Sequence, residues 1–177
     1  DGSSWTATTG MITARLNHGG SGLQNSAIAF GGQPGPVFGA TTEEWNGTNW
    51  SEVNNLIQLR CKHGKLGITS EAAKAIAGVY LGAPGGSTGV EDWNGSNWSA
   101  GTSLPATSAY GASAGTYDSG IIMGFPGTET YCWNGSSWSE GGSGHSPIGI
   151  DNTHGGTQND AISAASGYIS HPPGQDQ

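Results

Sequence analysis

One phrase is written three times along this chain, as "EEWNGTNW" at 43–50, "EDWNGSNW" at 91–98 and "YCWNGSSW" at 131–138. Asn-Gly between strand-like residues is a strong hairpin signal, because both residues tolerate positive φ. Whether the connection holds two residues or four, the two tryptophans of a phrase fall on one face of the hairpin, directly or diagonally paired. The phrase therefore reads as a copied structural unit, and its spacing limits what the chain can build. Its second tryptophan recurs at Trp5, Trp50, Trp98 and Trp138, in steps of 45, 48 and 40 residues. The first of these belongs to "DGSSW" (1–5), the second half of the phrase without its first half.

Two further markers run in the same register. "NHGG" (17–20), "KHGK" (62–65), "AYGA" (109–112) and "THGG" (153–156) place His18, His63, Tyr110 and His154 at one equivalent position. Apolar runs follow at "SAIAFGG" (26–32, ending in Gly31 and Gly32), "KAIAGVYLG" (74–82), "SGIIMGF" (119–125) and "DAISAAS" (160–166). Each unit thus holds four strand candidates: one starting at the His/Tyr-Gly pair, one ending at the glycines, and one at each tryptophan. Four strands in this period are one propeller blade. The expected fold is all-β, a propeller of four four-stranded blades in a single domain over 1–177. Blade 1 is expected at about 14–53, blade 2 at about 60–100, blade 3 at about 107–140, and blade 4 at about 151–177 plus 1–8. The N-terminal strand would complete the last blade and close the ring, which removes a sheet edge.

Composition agrees and excludes. The chain has 177 residues, enough for a real core, and 33 of them are Gly, which favours strands and turns over helices. Five Lys and Arg face 13 Asp and Glu, a net charge of −8, so there is no basic surface for phosphates and nucleic acid is excluded as a partner. The longest apolar run, "AIAGVYLGA" (75–83), is strand length, and no membrane span is expected. The start of the chain within a repeat, without Met or signal peptide, reads as a processed or excised terminus.

The order of markers, an apolar run closed by Gly-Gly and followed by a spaced aromatic and Trp, resembles the kelch repeat. Within that group it is most similar to the kelch-like arrays of marine phage virion and tail-fibre proteins. The resemblance covers the whole chain, although Gly-Gly closes the apolar run only in the first unit and the fourth lacks "WNG". It implies a structural or recognition domain of a virion, fibre or extracellular surface, located on the particle or cell exterior.

The seven tryptophans (Trp5, Trp45, Trp50, Trp93, Trp98, Trp133 and Trp138) are read as packing between blades rather than as sugar platforms. The Asn46, Asn49, Asn94, Asn97 and Asn134 sequons are read first as turn chemistry. In antiparallel blades the start of each first strand, the second-to-third loop and the blade-to-blade loop share one end, here called the upper face. Its loops are the long ones, and binding is expected there. The candidate binding residues are Arg15, His18, Arg60, His63, Tyr110 and His154, around the upper mouth of the channel. Three of them, His18, His63 and His154, form a ring of metal-ligand type, but Tyr110 breaks it and no metal is expected.

Arg15 and Arg60 stand three residues before a ring His, with Thr107 and Asp151 at the matching places. They are expected to hold the blade-to-blade loops through carbonyls or an acidic neighbour. Glu43, Glu44, Glu91 and Asp92 recur beside the hairpins and read as solubilising. Cys61 and Cys132 fall at opposite ends of neighbouring blades, so both are expected as free thiols. With no nucleophile elbow, phosphate loop, metal helix or cofactor fingerprint, the chain reads as a non-enzyme with no cofactor. Its expected partners are other protein subunits of an assembly or a cell-surface glycan. The alternatives are a free carbohydrate-binding lectin-like propeller and an enzyme.

Overall fold

A computed structural model describes residues 4–83, 85–109, 111–123, 127–143 and 153–164. Among them the fold is all-β. The first sheet holds β1 (Gly19–Leu23), β2 (Ser26–Phe30), β3 (Thr42–Trp45) and β4 (Trp50–Val53). The second holds β5 (Gly64–Leu66), β6 (Ala73–Ile76), β7 (Val90–Trp93) and β8 (Trp98–Ala100). The third holds β9 (Ala112–Gly115), β10 (Gly120–Met123), β11 (Thr130–Trp133) and β12 (Trp138–Glu140). Each is an antiparallel meander in chain order, and β13 (Thr153–Gly156) pairs with β14 (Ala161–Ala164) as a two-stranded sheet. The first strands touch in series, β1 with β5, β5 with β9 and β9 with β13, so they line one edge while the sheets stack face to face.

Strand alternation decides what meets at each interface. Ile28 and Phe30 leave one face of β2 and, with Leu56, pack on Ala73, Ala75, Trp93 and Trp98 of the second sheet. One interface on, Leu66, Ile76 and Val90 pack on Ile122, Tyr131, Trp133 and Trp138. Each sheet thus offers a Trp face to the sheet before it and an aliphatic face to the sheet after it. Burying each of these large side chains stabilises the stack by roughly 2 kcal/mol. The cross-strand tryptophans are direct partners joined by four-residue turns, with ring centroids 5.5 Å apart for Trp45–Trp50, 5.4 Å for Trp93–Trp98 and 5.1 Å for Trp133–Trp138.

The turns repeat atom by atom. Asn46 Oδ1 accepts from the Thr48 and Asn49 amides at 3.0 and 2.9 Å, Asn94 does so from Ser96 and Asn97, and Asn134 from Ser136 and Ser137. The first tryptophan of each phrase donates its indole N–H to the inner turn of its own sheet, at Gln24 O, Ser70 O or Tyr117 O.

The glycines that close the first apolar run have a packing reason. Gly31 has φ 67°, and a Cβ there would lie 2.8 Å from both Arg60 O and His63 Nε2. Ala77 holds the same place in the second unit at φ 58°, where the next linker carries Thr107 instead of an arginine. Gly31→Ala is expected to lower stability by about 2 kcal/mol, from left-handed strain plus contact with a fixed carbonyl. Thermal unfolding of the single variant reads this, and an unchanged Tm would remove the packing argument.

Closure by the N-terminal strand is not what the structure shows. Residues 4–10 belong to no strand, Trp5 is 102% exposed, and the described residues form no closed ring. Trp50, Trp98 and Trp138 are each held by a first tryptophan across the turn, and "DGSSW" has no such partner. The expected neighbours of Trp5, at 168–177, lie outside the described residues.

Candidate functional site

The upper face is laced together by main-chain bonds. Leu16 bridges Gln33, Cys61 bridges Val79 and Ser87 bridges Ser108, each in antiparallel fashion. The Gly32 amide donates to Arg60 O at 2.8 Å, Lys62 N to Asn17 O at 3.0 Å and Leu56 N to Ala40 O at 2.9 Å. Asn17 and Lys62 take the same left-handed turn, φ 57° and 52°, immediately before the histidine of their unit. Linkers and second-to-third loops are thereby fixed to one another rather than hanging free.

Inside this lacing sits a repeated clasp. Arg60 Nη1 donates to Ala77 O and Gly89 O at 3.0 and 2.8 Å, and Nη2 to Glu91 Oε1 at 2.7 Å. The Ile57 and Gln58 amides donate to the two Glu91 oxygens at 2.7 and 3.0 Å. In the first unit Arg15 bonds Gly31 O, Thr41 O and Glu43, and Glu43 also accepts from the Ile12 and Thr13 amides. These are the carbonyl and acidic partners expected for the two arginines. Burial draws both guanidinium pKa values down while the paired glutamates push them back up.

Glu43 and Glu91 are thus not solubilising: they are 0% and 3% exposed and tie each linker to the following sheet. Their signal was present in the sequence as a covariation between units. Where Thr107 replaces the arginine, Tyr131 replaces the glutamate, and both halves of the clasp are absent together. Lys74 was also missed. It pairs with Asp92 at 2.6 Å and lies 4.2 Å from the Trp133 ring centroid and 4.4 Å from that of Tyr117, buried between the second and third sheets.

Of the expected channel-mouth residues, His18 and His63 both turn Nδ1 towards the carbonyl of the next residue, at 3.0 and 3.1 Å. His63 is buried, stacked on Phe30, and faces Phe30 O through Nε2 at 3.3 Å. Burial lowers its pKa to about 4, outweighing the carbonyls that favour the charged ring. His154 is at the second position of β13, and Tyr110 lies outside the described residues. Among the described residues no three His, Cys, Asp or Glu side chains group as a metal site. Cys61 and Cys132 are free thiols, and burial raises the Cys61 pKa to about 11, which leaves it a packing residue rather than a nucleophile.

What the upper face offers to solvent is apolar. Ile12, Leu16, Val37, Ile57, Leu59 and Leu81 are all exposed, and all six lie on linkers or second-to-third loops. The outer turns are not wholly remote from this face. Asn54, at the head of the linker, donates to Ser96 O and Asn97 Oδ1 at 3.0 and 2.8 Å, because sheet twist swings the outer hairpin of the second sheet against the first.

Three stacked four-stranded meanders with their first strands in a row define a propeller-type fold. Among solved structures the chain is similar to YjhT, a kelch-like propeller-type fold, with a TM-score of 0.74 at 14% identity over 91% of this chain. The match spans 62% of that structure's length. No protein-family model and no curated protein matches the chain. Among the described residues, no helix is long and apolar enough to cross a membrane.

Proposed function

We propose that the chain is a non-catalytic kelch-like propeller module of a virion, fibre or extracellular surface assembly, which docks another protein subunit through its upper loops. The observation that carries this reading is the apolar loop face. Six of the nine exposed large hydrophobic side chains among the described residues sit there: Ile12, Leu16, Val37, Ile57, Leu59 and Leu81. Scattered exposed hydrophobics need no explanation, but a set concentrated on one end marks an interaction surface. Loops pinned by main-chain bridges have little freedom to lose on docking, which favours a protein partner. A glycan site would instead present an exposed aromatic platform among directed polar groups.

An immobilised glycan array separates the two. The full chain is expected to bind no glycan on it. Specific binding that disappears in Ile57→Asp with Leu81→Asp would assign the face to sugars and overturn the protein-docking reading.

A further inference from the structure

The linker ahead of the first sheet is docked as if another sheet preceded it. The chain from Ile12 to His18 matches that from Ile57 to His63 group for group: two amides on a buried glutamate, an arginine on two carbonyls, a left-handed residue, then the histidine. What differs is what lies beneath. Leu56 is buried together with Ile28 and Phe30 against the Trp93–Trp98 face. Its counterpart Met11 instead borders an open cavity of about 740 Å³ whose wall includes Trp50, Ala27, Ala29 and Leu23. The indole groups report the same vacant position. Trp98 donates to Thr42 Oγ1 of the preceding sheet at 3.0 Å, and Trp138 to Thr102 O of the preceding linker at 2.9 Å. Trp50 Nε1 has no acceptor among the described residues.

We propose that the Trp45–Trp50 face of the first sheet is the seat of a further four-stranded unit of the same repeat, lying ahead of β1 as the first sheet lies ahead of β5. The occupant's chemistry follows from the interface already formed. It presents two apolar side chains from its second strand, in the places of Ile28 and Phe30, and an acceptor for Trp50 in the place of Thr42 Oγ1. A larger ring has room for it, since the chain follows only 62% of the YjhT structure.

A tandem duplication of residues 9–53 within the full chain places such a unit in register. With Trp50→Phe in the added copy, indole N–H exchange by NMR then reads the original Trp50. In the unaltered chain Trp50 is expected to exchange at least about tenfold faster than Trp98, and in the duplicated chain as slowly as Trp98, with a higher Tm. Trp50 protection equal to that of Trp98 without duplication, or no gain of protection with it, would overturn the proposal. A second comparison does not need the duplicated chain to fold. Trp98→Phe is expected to lower the Tm more than Trp50→Phe, and equal losses would likewise overturn it. Protection of Trp50 in the unaltered chain by a soluble glycan would show a ligand platform instead.

Discussion

Glu91→Ala is expected to cost about 4 kcal/mol of folding stability, the largest effect of any single polar substitution in this fold. The variant leaves the Arg60 guanidinium buried without its counter-charge and strips the acceptor from the Ile57 and Gln58 amides. Removing one member of a buried pair is costly because the survivor stays desolvated, whereas removing both need not be. The third unit makes the point within the same chain, with Thr107 and Tyr131 where the second has Arg60 and Glu91. Arg60→Thr with Glu91→Tyr should therefore recover a substantial part of the loss, though not all, since two amides remain without their carboxylate. Urea unfolding of the three variants measures this. A double variant no more stable than Glu91→Ala alone would show that the clasp is not an interchangeable pair.

The second large effect is on acid stability, through His63. Its pKa is about 4 in the fold against 6.5 in the unfolded chain. Above pH 6.5 neither state binds the proton and the stability is complete. As the pH falls below that value, the unfolded chain takes up a proton that the folded one refuses, so stability is lost progressively until about pH 4. The total loss from this one group is about 3 kcal/mol, at roughly 1.4 kcal/mol per pH unit. His63→Gln removes the titrating ring, so the variant should be less stable than the parent near pH 7 but show a distinctly shallower decline between pH 6.5 and 4. Parallel pH profiles for the two chains would contradict the assignment of a neutral, desolvated His63 against Phe30.

The hairpins were legible in the sequence because their causes are local. Asn-Gly supplies the turn, the Asn side chain caps it, and the two tryptophans are cross-strand neighbours whatever the rest of the chain does. The period of the repeat then carried the four-stranded meanders. The clasp was half legible. Arg15 and Arg60 were read as linker holders, but Glu43 and Glu91 were read as solvent-facing, since a carboxylate beside a turn is normally hydrated. Only the interface shows that each is capped by two amides and a guanidinium. Lys74 was invisible for a related reason: its aromatic cover comes from Tyr117 and Trp133 of the next sheet. The N-terminal strand failed where similarity was partial, since "DGSSW" repeats the residues of a second strand without the first strand that orders it.

Exposed apolar loops at one end and buried tryptophan hairpins between sheets together make the central claim, that the repeated aromatic phrase builds the scaffold and the upper loops do the docking. Hydroxyl-radical footprinting of the chain, free and within its native assembly, tests it most directly. The account predicts protection in the assembly at Val37, Ile57, Leu59 and Leu81, with the turns at 46–49 and 134–137 unchanged. Protection confined to those turns, with the four upper-loop residues as reactive as in the free chain, would contradict it.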